Sequence, residues 1–159
     1  MKNLSDNLEK SQAIDNILCR AEELREKSRY QQSLKLFKEA SRKLSRNKDL
    51  DGMYHCALAS GDLYRMTGNF ALAAESYREA IDAAEKLNSR SNVADAKVGL
   101  GLSLRAQGNW REAIKLIREA KKTYEKTEDN HGIAFTLWAE AGAFRIKGDI
   151  PAAIEGFTE

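Results

Sequence analysis

The 159-residue sequence has few of the residues that usually build chemical sites. It contains one proline, two cysteines and two histidines, and no apolar run long enough to cross a membrane. Cys19 and Cys56 lack metal or redox spacing, which favours small, buried or half-buried thiols in a reducing compartment. His55 and His131 lie in different parts of the chain, without a metal-type partner at helical spacing. The sequence therefore predicts no metal and no cofactor.

The chain also lacks a large excess of charge of either sign. The 26 basic and 24 acidic residues leave a net charge of +2, so nucleic acid and anionic membranes are not expected partners. The amino terminus, MKNLSDNLEKSQ, is polar throughout and does not resemble a signal peptide. There is no glycine-rich phosphate loop and no constellation of catalytic residues, so an enzyme is not expected. These features indicate a globular protein of the cytoplasm.

What the sequence does contain is a repeat of forty residues. The segment MTGNFALAAESY, which begins at residue 66, is similar in pattern to AQGNWREAIKLI, which begins at residue 106. Two columns of small residues recur: Ala21, Gly61, Gly101 and Ala141, then Ser33, Ala73, Ala113 and Ala153. Two columns of large apolar residues accompany them: Leu24, Tyr64, Leu104 and Phe144, then Phe37, Tyr77, Ile117 and Phe157. A period kept without insertion indicates a repeat architecture.

Each unit is predicted to be two helices joined by a turn, since its apolar residues lie three and four apart. Gly68, Gly108 and Gly148 stand where a left-handed residue ends the first helix. Caps are predicted for the second helices at Asn69, Asn109 and Asp149, and for the first helices at Asp49, Ser89 and Asp129. The predicted ranges are 8–27, 30–47, 50–67, 70–87, 90–107, 110–127, 130–147 and 150 onward.

The small residues explain how the helices meet. Gly61 and Gly101 let the second helix approach closely, and Tyr77 and Ile117 fill the space beside them. No unit can bury its apolar face alone, so neighbouring units must stack. The predicted fold is all-α, a right-handed solenoid of stacked antiparallel helix pairs.

The array is predicted to span residues 11–159, after a polar leader at 1–10. The array is predicted to contain about three and a half to four repeats. Their ranges are 11–48, 49–88, 89–128 and 129–159, and the last repeat is truncated. The short last repeat predicts either a fragment of a longer protein or a shortened final helix. In both cases the apolar face around Ala153 and Phe157 lacks its usual cover, which favours self-association or further repeats.

These units resemble the tetratricopeptide repeat. The residues that carry the resemblance are Leu100-Gly101 with Leu104, Ala113 with Ile117, Gly61 with Tyr64, and Ala73 with Tyr77. The forty-residue period is similar to the longer-helix branch found in G-protein-signalling modulators, kinesin light chains and bacterial regulators. The resemblance covers nearly the whole chain and implies a surface that holds another protein.

A row of arginines marks a candidate binding surface. The first helix of each unit is expected to line a concave face, and each carries an arginine at the same position: Arg25, Arg65, Arg105 and Arg145. The planar guanidinium binds carboxylates with two bonds, so an acidic or C-terminal peptide is the expected ligand. A purely structural role stays open, because the helix dipole favours a positive charge in the last turn.

The C-terminal half of this row is expected to offer the freer charge. Glu22 and Asp62 stand three residues before Arg25 and Arg65 and can neutralise them, whereas the other two arginines lack such a neighbour. Apolar anchors are predicted beside those two, at Val98, Leu102, Phe135 and Trp138. Trp138 is the expected main anchor.

The leading interpretation is a non-enzymatic scaffold that binds a peptide segment or partner protein in its concave groove. Two alternatives remain. One is a regulatory sensor domain of a larger protein, whose curvature responds to a signal. The other is a structural homo-oligomer assembled through the open C-terminal end.

Overall fold

The computed structural model describes residues 2–158, with side chains for Glu9 and residues 11–158. Within this part of the chain there are eight helices and no strand. They are α1 (Lys2–Glu26), α2 (Tyr30–Arg46), α3 (Leu50–Met66), α4 (Phe70–Lys86), α5 (Arg90–Ala106), α6 (Trp110–Thr127), α7 (Asn130–Lys147) and α8 (Ile150–Thr158).

The predicted helix bounds from α2 onward are confirmed to within one residue. The predicted start of α1 at residue 8 is wrong, because the helix begins at Lys2 and includes the polar leader. No proline or glycine interrupts residues 2–10, so nothing in the backbone stops the helix there.

The helices stack as a row of pairs. Each one packs against its neighbours in the chain, and α3 also contacts α5 while α5 contacts α7. One cluster of buried side chains extends from α1 to α6, and two smaller clusters lie on α3 to α5 and on α5 to α7, so the core is elongated. This is the predicted all-α, right-handed solenoid of helix pairs.

Every helix from α1 to α7 ends on a left-handed residue, at a spacing of twenty. Gly68, Gly108 and Gly148 do so as predicted, with φ of 77°, 83° and 87°. The remaining left-handed residues are not glycines: Ser28, Lys48, Asn88 and Glu128. The next backbone N–H then bonds back into the last turn, as Asn109 N does to the Leu104 oxygen at 2.9 Å. This is the Schellman arrangement, and it satisfies carbonyls that the helix end leaves free.

The predicted caps of the first helices are confirmed. Asp49 and Asp129 each accept a bond from the backbone N–H three residues on at 3.0 Å, and Ser89 accepts one at 3.4 Å. Asp149 caps α8 in the same way, accepting from the backbone N–H of Ala152.

The caps predicted at Asn69 and Asn109 are wrong, because neither side chain accepts a bond from its helix. Their ψ angles are 63° and 65°, short of the extended backbone that aims a cap side chain at the helix. The Asn69 amide donates instead to the Thr67 hydroxyl at 3.0 Å.

The glycine contacts within the pairs are as predicted. A Cβ on Gly61 would lie 2.8 Å from the Tyr77 ring, and one on Gly101 would lie 2.9 Å from Ile117. The Tyr77 ring also lies against Gly99 of the following unit, so it fills the gap between two units. The other predicted structural positions are buried, with Phe144 only partly so: Tyr64, Ala73, Ala113, Ala153 and Phe144.

Candidate binding groove

One continuous groove runs along the first helices of the four units. A cavity of about 870 Å³ lies between α1 and α3, and one of about 300 Å³ lies along α3, α5 and α7. Leu58 and Asp62 line both, which joins the two into a single surface that we call the groove. Its position on the first helices is the one expected from the sequence.

The floor of the groove is apolar, but its accessible parts lie towards the two ends. Leu18 and Leu58 are partly exposed over α1 and α3. Val98 and Leu102 line the middle yet are only 3% and 6% exposed, because they belong to the core shared with α6 and α7. The role of these two residues as anchors stays a prediction, and the structure leaves a ligand little of either to touch.

Phe135 and Trp138 are two exposed aromatic side chains of α7. Their rings stack with centroids 5.6 Å apart. Exposed aromatic side chains held in a fixed arrangement are the usual anchors of protein interfaces.

The first two arginines of the row are neutralised within their own helices, as expected. Arg25 pairs with Glu22 at 2.7 Å, and Arg65 pairs with Asp62 at 3.6 Å. A contact across helices adds to the second pair. The Tyr77 hydroxyl donates to Asp62 at 2.6 Å and accepts from Arg65 Nε at 3.4 Å. Burial, followed by the charge of Asp62, raises the pKa of Tyr77, so the hydroxyl stays a donor.

Arg105 is held against the next unit. Its Nη1 donates to the Ala139 carbonyl at 3.1 Å, and its guanidinium carbon lies 5.3 Å from the centre of the Trp138 ring. Gly142 makes room for it, since a Cβ there would collide with the guanidinium. Burial, then the charges of Arg145 and Arg65, lower the pKa of Arg105. The positive charge at this end of the groove is therefore not fully compensated.

Arg145 is the freest member of the row. Its side chain is exposed at the end of α7, and it takes no part in the ion pairs found among the described side chains. Arg25 and Arg65 line the two cavities, and Arg105 and Arg145 continue the row at the same repeat position of α5 and α7. We call these four residues the arginine edge of the groove.

Carboxylates line the opposite edge of the groove. This acidic edge consists of Asp15, Asp49, Asp51, Asp95 and Asp129. Asp15 and Asp95 stand ten residues before Arg25 and Arg105, which is about 15 Å along a helix. The Tyr124 hydroxyl fixes Asp95 with a bond of 2.5 Å. This ten-residue spacing of opposite charges is visible in the sequence, but the predicted site included only the arginines, Glu22, Asp62 and the apolar anchors.

Comparison with known families decides what kind of protein this is. Sequence models of the tetratricopeptide repeat match residues 20–87 and 92–159. The chain belongs to the tetratricopeptide repeat family. Such repeats generally mediate interactions between proteins, and their fold is known as a non-enzymatic scaffold. The resemblance inferred from the repeat columns is therefore confirmed.

Solved structures share the tetratricopeptide fold. The repeat domain of FLU from Arabidopsis is 23% identical, with a TM-score of 0.64 over 69% of this chain and 92% of that one. BtubC (BKLC) from P. vanneervenii is 14% identical, with a TM-score of 0.82 over 92% of this chain and 61% of that one. A putative kinesin light chain of Podospora anserina is 14% identical, with a TM-score of 0.74 over 91% and 72%. No curated protein matches the sequence.

Neither a metal-binding group nor a membrane-spanning helix is found in the part of the array that the structure describes. Among the described side chains, no group of three or more histidines, cysteines and carboxylates is placed to hold a metal ion. Within residues 2–158, every helix is too short or too polar to cross a membrane.

The two cysteines are free and differ in their surroundings. Cys56 is buried as expected, and burial followed by the charge of Asp49 raises the pKa of its thiol to about 11. Cys19 is exposed, so the expectation that it is buried or half-buried is wrong. Its counterparts Ala59 and Ala139 are covered by the preceding unit, whereas no described helix covers that face of α1.

Proposed function

We propose that this tetratricopeptide array is a non-enzymatic interaction module whose groove holds a segment of a partner protein. The observation that supports this most directly is the stacked Phe135–Trp138 pair beside Arg105 and Arg145. Exposed aromatic anchors next to fixed charges form the energetic centre of many interfaces. Acidic residues of the partner would contact the two arginines, where positive charge is least compensated. The free thiols favour action in the cytoplasm.

The proposal is tested by capture from a lysate of the source cells. We compare the wild-type chain with Trp138→Ala and with Arg105→Glu/Arg145→Glu, after circular dichroism shows equal helix content. Arg78→Glu is the matched control, since Arg78 is an exposed arginine of α4, a second helix, whereas the groove runs along the first helices. Overlapping synthetic peptides from each captured protein then locate the bound segment.

We expect a partner that the wild type and Arg78→Glu retain and that both groove variants lose. We also expect its bound segment to carry acidic residues. Equal capture by all four proteins would show that binding, if any, takes place away from the α7 end of the groove.

Self-association is a second candidate function, favoured by one observation at α8. Phe157 is 50% exposed, whereas Tyr77 and Ile117, at the same position of earlier units, are 1% and 0% exposed. Tyr77 lies against Gly99 of the following unit, and Ile117 shares a core cluster with Ala139 of the following unit. A second copy of the chain would supply the corresponding cover for Phe157.

The mass in solution tests this second candidate. We expect the light-scattering mass to rise with concentration for the wild type and to stay at one chain for Phe157→Glu. Met66→Glu is the control, because Met66 is equally exposed and apolar but lies at the end of α3. A concentration-independent mass of one chain for the wild type refutes the candidate.

A further inference from the structure

The groove is polarised across its width, with carboxylates along one edge and arginines along the other. We propose that the segment it holds is an amphipathic helix and that the two charged edges set the direction in which this helix lies. The inference rests on the proposed function, because it concerns the partner of the same groove.

The width of the groove suits a helix. Along one first helix, ten residues separate Asp15 from Arg25 and sixteen separate Asp129 from Arg145, so at 1.5 Å per residue the two edges lie about 15–24 Å apart. A helix with its side chains is roughly 10–12 Å across. Long charged side chains on both flanks of such a helix therefore reach the edges. Between the edges, the floor offers Leu18 and Leu58 at one end and the Phe135–Trp138 pair at the other.

The pattern of the groove favours a helix over an extended strand. The groove presents three parallel stripes: an acidic edge, an apolar floor and an arginine edge. A helix has an apolar stripe with a polar flank on either side, which matches three stripes at once. A strand points its side chains alternately up and down and turns only its backbone towards the edges. It would match the floor but neither charged edge.

The uncompensated charge of the two edges varies along the groove. Asp15 and Asp51 are exposed on α1 and α3, where Arg25 and Arg65 are already paired. Over α5 and α7, by contrast, the arginine edge keeps its charge. The partner helix is therefore expected to carry basic residues along all of one flank. Its acidic residues are expected on the other flank, concentrated over α5 and α7.

This arrangement fixes direction because turning a helix end for end exchanges its flanks. In one direction the basic flank faces the acidic edge and the acidic flank faces the arginine edge. In the reverse direction, like charges face each other on both sides, which disfavours that complex.

The experiment uses four stapled helical peptides that share one apolar face. One carries lysines on one flank and glutamates on the other, the second has these flanks exchanged, the third has glutamates on both and the fourth lysines on both. A length of about 18 residues spans four first helices spaced roughly 9 Å apart. Each peptide carries a nitroxide at its amino terminus, and broadening of the protein's amide signals shows which end of the groove this label approaches.

We expect the two mixed-charge peptides to bind with similar affinity and at least ten times more tightly than the all-glutamate peptide. The nitroxide should broaden amides of α1 near Leu18 for one and amides of α7 near Trp138 for the other. The inference would be overturned if the nitroxides of both mixed peptides broadened amides at the same end of the groove, or if each nitroxide broadened amides at both ends equally. An all-glutamate peptide that binds as tightly as the mixed ones would also overturn it.

A protein variant provides the reciprocal test. Asp15→Lys/Asp51→Lys makes the acidic edge basic over α1 and α3, so the all-glutamate peptide should gain at least tenfold in affinity. Glu79→Lys/Glu112→Lys is the matched control, because both carboxylates are exposed on second helices and line neither groove cavity. No gain in the first variant contradicts the role of the acidic edge.

Failure of this inference can be told apart from failure of the proposed function. If peptides bind and Trp138→Ala weakens them, but direction does not follow the flanks, the groove binds and only its polarity is irrelevant. If no peptide binds and lysate capture is unaffected by the groove variants, the groove is not a binding surface.

Discussion

Replacing Lys48 or Glu128 with glycine is expected to stabilise the protein, although neither side chain packs against the core. Both residues are exposed and left-handed, with φ of 56° and 55°. That conformation costs a residue with a Cβ roughly 1–2 kcal/mol. Glycine removes this cost, but it also lowers the free energy of unfolding by roughly 0.4–1 kcal/mol, because the unfolded chain gains conformational freedom. Each substitution should therefore add roughly 0.5–1 kcal/mol to the free energy of unfolding.

Two comparisons isolate the backbone from other effects. Asn88 has the same left-handed φ, but asparagine adopts it at lower cost, so Asn88→Gly should change stability little. Gly108 has φ of 83°, and nothing lies within 4 Å of where its Cβ would be. Gly108→Ala should therefore destabilise by about 1 kcal/mol through backbone strain alone.

The assay is urea unfolding followed by circular dichroism at the helix band, with midpoints compared at unchanged slope. Thermal midpoints should move by roughly 2–4 °C per kcal/mol for a chain of this size. A lower midpoint for Lys48→Gly would refute the reasoning. An equal gain for Asn88→Gly and Lys48→Gly would do so as well, because it would show that left-handed strain is not what the substitution relieves.

Three further predictions concern single contacts. Gly142→Ala should displace the Arg105 guanidinium from Ala139 and Trp138, changing Trp138 emission in a Trp110→Phe background. The free energy of unfolding should change little, since the lost contacts and the gain in helix propensity oppose each other. Unchanged Trp138 emission would contradict the displacement of Arg105. At pH 8 one thiol, Cys19, should react quickly with a disulfide reagent, and Cys56 only after unfolding, because the pKa of its buried thiol is raised to about 11. Two equally fast thiols would refute that burial. The bond from Lys97 lowers the pKa of Glu119, so the stability it brings is present above the unfolded pKa of about 4.3 and is lost as pH falls through the folded pKa. Glu119→Gln should therefore flatten the acid limb of the stability profile, and an unchanged limb would show that the contact does not matter.

The fold could be predicted because the signals that fix it are local and repeated. The glycines predict the turns, and the columns of small residues predict where two helices approach closely. Each of these features lies within a few residues of the residue that predicts it. The left-handed turns at Lys48 and Glu128 were missed, because neither residue type favours that conformation. The glycine turns recur every forty residues, and only the distance of twenty residues from one of them pointed to Lys48 and Glu128. At these positions the stacking of units overrides local preference.

The site was predicted less completely, because its chemistry depends on contacts between units. Spacing along one helix gave the pairing of Arg25 with Glu22, but it could not show that Arg105 reaches Ala139, 34 residues away. It also placed Val98 and Leu102 on the groove face without revealing how far the next unit covers them. Helical periodicity gives the face of a residue, whereas its exposure is set by the neighbour that packs on that face.

The polarity of the groove follows in part from helix ends alone. The first helices all run in the same direction, so their amino-terminal caps, such as Asp49 and Asp129, fall on one edge. Arginines in the last turns fall on the other, where the dipole favours them. Asp15 does not fit this explanation, since it lies well inside α1, which begins at Lys2. The dipole acts only within the first turn. The counterparts of Asp15 are His55, Asp95 and Phe135, so the repeat does not require a carboxylate at this position. A carboxylate there contributes to the acidic edge without contributing to a helix end. Asp15→Asn should therefore weaken a mixed-charge peptide while leaving the unfolding midpoint unchanged, and a lowered midpoint with unaltered binding would assign it to the fold instead.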